Sequence, residues 1–209
     1  MTFKNAFKTF VILLTTIISL NKASAQDTVR ADQPAAVKSL NKIRLNLLGL
    51  YYEHEQKIGM RATVYFGAGL ASTVAIEYGS RFEQSYNGTS YDYTISRPET
   101  RSYFSLSPSV YAGIRNYYNF NKRIAKGKRT INNSGSYFGA EVAGYFYPLF
   151  QSKGYTSPNW EIGLTPVWGF QHAMSRKTSF EFNIGPTVRT NEFETYYGID
   201  GRIGFTFLL

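Results

Sequence analysis

The sequence contains no cysteine. That excludes disulfide staples and a lipid-modified N-terminal cysteine, so whatever holds this protein in place lies in its fold. Beyond residue 25 no apolar run approaches the roughly 18 residues of a membrane helix. Histidine is scarce: His54 and His172 are the only two, and they do not stand at ligand spacing for a metal site. What the chain has in quantity is 17 Tyr, 16 Phe and 18 Gly. Aromatics and glycine without long apolar runs suit a β protein whose strands alternate.

The chain opens MTFKNAFKTFVILLTTIISLNKASAQ. Lys4 and Lys8, the apolar run Val11 to Leu20 and then Ala23-Ser24-Ala25 form the basic, apolar and small-residue parts of a secretory signal peptide over residues 1–25. The apolar run is too short to span a bilayer as a helix, which disfavours the alternative of an uncleaved anchor. Removing 25 of the 209 residues leaves 184, enough for one domain, and the loss of Lys4, Lys8 and Lys22 lowers the formal net charge from +9 to +6. Residues 26–41 offer little apolar surface to bury and read as a periplasmic leader.

From residue 42 to the end, the pattern has a period of two. In the last stretch, YYGIDGRIGFTFLL, Tyr197, Ile199, Ile203, Phe205, Phe207 and Leu209 fall on one face. Gly198, Asp200, Arg202, Gly204 and Thr206 fall on the other. The same alternation predicts eight strands, the first two meeting near Gly49-Leu50 and the third running unbroken over RATVYFGAGLASTVAIEYGSRF. The others are Tyr103 to Tyr118, Ser136 to Tyr147, Asn159 to Ala173, a seventh around Phe180 to Gly185, and the final one. Asn87-Gly88 between extended residues predicts a hairpin inside the polar loop Glu83 to Ser102. Asn87-Gly88-Thr89 also fits a glycosylation sequon. Lys122 to Arg129, five basic residues in eight, reads as a solvated, turn-like loop near anionic lipid heads rather than a nucleic-acid site.

One phase repeatedly carries charge: Glu53, Glu55, Arg61, Arg115, Glu141, Glu161, Glu181, Asp200 and Arg202. With that phase in water, Trp160, Trp168 and many Phe would crowd a soluble core. With it turned inward, the aromatics face lipid, as in a transmembrane barrel, and closure satisfies every backbone group. The expected fold is therefore an all-β, eight-stranded, antiparallel up-and-down transmembrane β-barrel over residues 42–209. A lipocalin-like secreted barrel with an apolar interior is the alternative.

The NLLGL opening, the YEHEQKIG segment, the SPSVYAGIRNYY strand and the terminal GRIGFTF resemble small bacterial outer-membrane β-barrel proteins of the OmpA, OmpX and OmpW type. The resemblance implies location in the outer membrane and a last strand read by the outer-membrane assembly machinery. That strand usually ends on an aromatic residue, whereas this chain ends on Leu209. Contacts with outer-membrane lipids and a monomer are expected, and an exported chain has no nucleic-acid partner to meet.

Eight strands leave an interior just wide enough for side chains. The expectation is a plugged interior with a charge network of Glu55, Arg115, Glu141, Glu161, Glu181 and Arg202, a structural or surface-recognition role, and no cofactor, metal or catalytic group. A narrow channel for small solutes is one alternative and a lipid deacylase another, the latter needing a histidine beside a serine. His54 lies between Glu53 and Glu55, but strand neighbours point to opposite faces, so neither acid faces it. His172 sits on the apolar phase next to a turn. For recognition, the candidates are Tyr86, Tyr91, Tyr93, Arg97 and Tyr155 on the long loops. Aromatics that anchor a barrel rim are the competing explanation.

Overall fold

A computed structural model describes residues 36–79, 82–86, 91–95, 99–154 and 157–209, with only the backbone described at 75–79, 82–86, 91–95 and 99. The expected signal peptide, Arg97 and Tyr155 lie outside the described residues, as do the side chains of Tyr86, Tyr91 and Tyr93. The protein is all-β, with antiparallel pairing throughout.

Eight strands close into a ring. β1 (Leu40–Asn46), β2 (Gly49–Lys57) and β3 (Ala62–Gly79) pair in sequence, and β3 pairs in turn with β6 (Glu99–Asn116). The circuit continues through β7 (Gly135–Phe146), β9 (Trp160–Ala173), β10 (Thr178–Asn191) and β11 (Thr195–Leu208). It closes where β11 pairs with β1, Ile43 opposite Phe207. Two additions lie off the ring. β4 (Phe82–Tyr86) and β5 (Tyr91–Ile95) form the hairpin expected from Asn87-Gly88, whose turn residues are themselves outside the described set. β8 (Phe150–Gln151) adds a short edge to β6.

One end of the ring, the terminal end, carries the start of β1, the end of β11 and the connections 58–61, 117–134 and 174–177. The opposite, loop end carries 47–48, 80–98, 147–159 and 192–194. The first hairpin turns at Leu47-Leu48, two residues before the expected join, because Asn46 pairs with Gly49.

Side chains alternate between interior and exterior as the period of two requires. In β9, Glu161, Thr165 and Gln171 point inward while Ile162, Leu164 and Phe170 point outward. Inward glycines lie directly opposite inward tyrosines: Tyr51 faces Gly69, Tyr65 faces Gly113, Gly67 faces Tyr111, and Tyr137 faces Gly169. A Cβ on Gly113 would come within 2.6 Å of the Tyr65 hydroxyl and one on Gly169 within 2.7 Å of the Tyr137 ring, so each glycine makes the floor on which a phenol lies. The Gly67-Ala68-Gly69 triplet is explained this way, its two glycines seating Tyr111 and Tyr51.

Three expectations are corrected. The leader does not extend to residue 41, because β1 begins at Leu40 and Val37 is fully buried, its N–H donating to the Met60 carbonyl. The basic segment is not a simple loop: Phe120–Ala125 forms a one-turn helix, α1, followed by a 3-10 turn at Ile131–Asn133. Asn132 and Asn133 both adopt positive φ, near 54° and 55°, a region that asparagine tolerates. These residues turn the chain back into the ring, where Phe120 packs with Val37, Tyr117, Tyr137 and Val167 and closes the terminal end. Arg61 is not in the interior, since it precedes β3 on an exposed turn.

Candidate functional site

In the terminal half of the interior, alternate residues from seven strands meet, most of them out of contact with solvent. Glu53 is the hub. Its carboxylate lies 3.0 Å from the Lys42 ammonium, 2.6 Å from the Arg44 guanidinium and 2.9 Å from Arg115, and it accepts a 2.9 Å hydrogen bond from the Tyr111 hydroxyl. Glu55 accepts from Lys42 at 2.6 Å, and from Thr63 and Tyr117 at 2.8 Å each. Glu181 accepts from Arg44 at 2.8 Å and from Tyr137 at 2.9 Å, with Arg115 3.2 Å away. Arg202 pairs with Glu141, which also accepts from Tyr65 at 2.8 Å.

Tyrosine rings join these pairs into one network. The Arg115 guanidinium lies 3.7 Å from the centre of the Tyr65 ring, and Arg202 lies 4.7 Å from that of Tyr111. Lys42, Arg44, Arg115 and Arg202 are balanced by Glu53, Glu55, Glu141 and Glu181, four cations against four anions. That balance makes burial tolerable, because an unpaired ion in such a space would cost several kcal/mol, roughly. The fit is imperfect: the Nε groups of Arg44 and Arg115 are buried without an acceptor.

Below this network, the 117–134 segment adds a lid of polar contacts. The Asn133 amide donates to Glu55 at 3.1 Å and to the Lys38 carbonyl at 2.8 Å, and Gln171 donates to the Asn132 carbonyl at 2.5 Å.

The loop half is built differently. Arg189 donates to Glu161 at 2.6 Å and to Asp200 at 2.7 Å, and the Tyr196 hydroxyl donates to Glu161 at 2.6 Å. These charged side chains keep 14 to 20 % of their surface exposed. Arg189 and Asp200 border a cavity of about 250 Å³ that Tyr51, Tyr145 and Arg202 also line. At the loop-end rim, the Glu192 carboxylate accepts from the Asn159 N–H at 2.6 Å, which holds it below the usual carboxylate range.

Of the six residues expected in one network, Glu55, Arg115, Glu141, Glu181 and Arg202 do come together. Glu161 does not; it belongs to the separate Arg189 group. Lys42, Arg44, Glu53, Arg189 and Asp200 complete the two sites. All share the inward phase of their strands; Glu53 and Asp200 already stand in the charged phase, and extending the alternation of the first strand to Lys42 and Arg44 and of the seventh to Arg189 finds the others. His54 faces outward, its Nδ1 2.6 Å from Asn41 Oδ1 and its ring against Phe66. His172 is also exposed on the outer face. Among the described residues no three His, Asp or Glu side chains converge as metal ligands.

Compared with known protein families, with curated proteins and with solved structures, the chain matches none.

Proposed function

We propose that this protein is an exported outer-membrane β-barrel that does not conduct. It is closed at the terminal, periplasmic end and displays its loop end for a structural or surface-recognition role. The observation that carries this reading is the inversion of polarity: charge is buried inside while the outer face is apolar. Glu53, Glu55 and Lys42 have no exposed surface, whereas Phe66, Ile114, Phe138 and Leu164 are each more than half exposed. A water-soluble fold would gain by the opposite arrangement.

Two aromatic collars support it. Phe146, Trp160 and Tyr197 lie toward the loop end, and Phe170, Phe180 and Phe205 form a ring-contact chain toward the terminal end. About ten residues of β9 separate Trp160 from Phe170, roughly 33 Å of strand. Tilted by about 40°, that length becomes about 25 Å, the height of a transmembrane barrel's apolar band.

The test is the mature chain in detergent, followed by planar-bilayer recording. The reading expects slower gel migration after boiling and no stable conductance step. A chain that stays monomeric and dissolved without detergent, or one that gives large stable openings, overturns it.

A further inference from the structure

The two ends of the ring differ in charge. Segments 36–41, 57–61, 117–134 and 174–177 at the terminal end hold ten lysines and arginines and not one aspartate or glutamate. Among the described residues, the connections at the loop end hold one base, Lys153, and four acids, Glu83, Asp92, Glu192 and Glu194. Most of the terminal-end cations are exposed, among them Lys57, Lys122, Lys126, Lys128, Arg176 and Lys177. Exposed apolar residues stand between them: Ile58 at 61 %, Met60 at 66 % and Ile124 at 36 %.

We infer that this rim is a binding surface for the anionic headgroups of phospholipids in the leaflet that surrounds the terminal end. The inference rests on the membrane reading and adds the partner's chemistry. Three features select a lipid surface over a folded partner. The cations sit on the turn between β2 and β3, on the segment between β6 and β7, and on the turn between β9 and β10, so they encircle the ring instead of forming one patch. They alternate with apolar side chains, and a long basic side chain can lay its methylenes on hydrocarbon while its charge reaches the headgroups. These rim segments contribute cations and no aspartate or glutamate, a charge that an anionic lipid surface complements.

The experiment places the chain in nanodiscs of phosphatidylcholine carrying trace spin-labelled phosphatidylglycerol or phosphatidylcholine, and measures the motionally restricted fraction of each. The expected result is a preference for the anionic lipid of about fivefold, the effect of one cation at an anionic surface. High salt should reduce it. Replacing Lys57, Lys122, Lys126, Lys128, Arg176 and Lys177 together by serine should move the ratio most of the way to unity, and replacing Lys122, Lys126 and Lys128 alone should move it part of the way. Lys153→Ser, at the loop end, should leave it unchanged.

Equal restriction of both lipids in the wild-type chain overturns the inference, as does a loss caused equally by Lys153→Ser. Uptake of polyglutamate by the detergent-held protein, with no lipid preference in the discs, assigns the rim to a soluble polyanion and also overturns it. Failure to enter the discs at all would instead sink the membrane reading.

Discussion

In the terminal half of the interior, Glu53 meets three cations and a tyrosine out of contact with solvent, whereas in the loop half Arg189 bridges Glu161 and Asp200 with 14 to 20 % of each charged side chain exposed. Both are arginine–carboxylate sites inside one ring. What separates them is water. Without it, a carboxylate that loses its partners has nothing to replace them; with it, solvent takes over part of the lost bond. The terminal half is therefore the part that holds the ring closed. The loop half is the part where a lost partner costs less.

The strongest test of that contrast is Glu53→Gln. It leaves Lys42, Arg44 and Arg115 sharing one fewer anion, so the four-to-four balance becomes four to three. Removing one partner of a buried pair costs about 3–5 kcal/mol. The urea midpoint of the folded gel band in detergent should fall by the largest amount of any single change described here. A midpoint within error of wild type would remove the distinction between the two halves.

Gly67→Val comes next. The new side chain would occupy the space of the Tyr111 ring, whose hydroxyl donates to Glu53. Overpacking of this kind costs about 2 kcal/mol. The matching change in the loop half is Gly198→Val, where a Cβ meets only a Thr187 methyl at 3.7 Å. Its expected effect is within about 0.5 kcal/mol, because nothing must move. Equal losses at the two glycines would mean that the tyrosine floor is not what the terminal half depends on.

Most of the ring was legible in the sequence because a strand's period of two writes the inner and outer faces directly into residue order. The alternation of Glu161, Thr165 and Gln171 with Ile162, Leu164 and Phe170 needs no tertiary information. Partners across the interior were not legible. Whether Glu161 meets Arg202 or Arg189 depends on strand stagger, which Asn183 facing Arg202 records and no local pattern does. The terminal plug was hidden for another reason. Lys122 to Arg129 looks solvated by composition, and most of it is, but Phe120 and Asn133 on either side turn inward and close the end. Tyrosine parts from the other aromatics of the strands: Phe66, Phe138 and Trp168 face outward, while Tyr51, Tyr65, Tyr111 and Tyr137 face inward because each hydroxyl finds a polar partner or the network beside it.

Glu161→Gln sharpens the comparison from the weaker side. It weakens one of the two carboxylate bonds to Arg189 and alters the acceptor of Tyr196, but Asp200 remains and water can enter the cavity. The expected loss is about 1 kcal/mol, in the range of partly exposed ion pairs. The same change should alter the accessibility of the cavity, read as a higher rate of Tyr145 or Tyr196 iodination. A loss as large as that of Glu53→Gln would show the loop half to be as rigid as the terminal half.

The smallest effect belongs to Glu192, fully exposed on the turn from β10 to β11, and it is best seen through pH. The Asn159 backbone N–H bonded to its carboxylate holds its folded-state pKa below the ordinary value of 4.5. The unfolded chain therefore takes up a proton first as pH falls. This contribution to stability is complete above the unfolded value and is lost as pH drops through the lower, folded one. Glu192→Gln should lower the urea midpoint slightly at neutral pH, and the wild-type and variant curves should converge in the acid range below 4.5. Comparing the two chains at each pH cancels the titration of the interior carboxylates, which both share. Curves that stay parallel down to the acid limit would mean that the Glu192 contact to Asn159 does not fasten the β10–β11 turn to the start of β9.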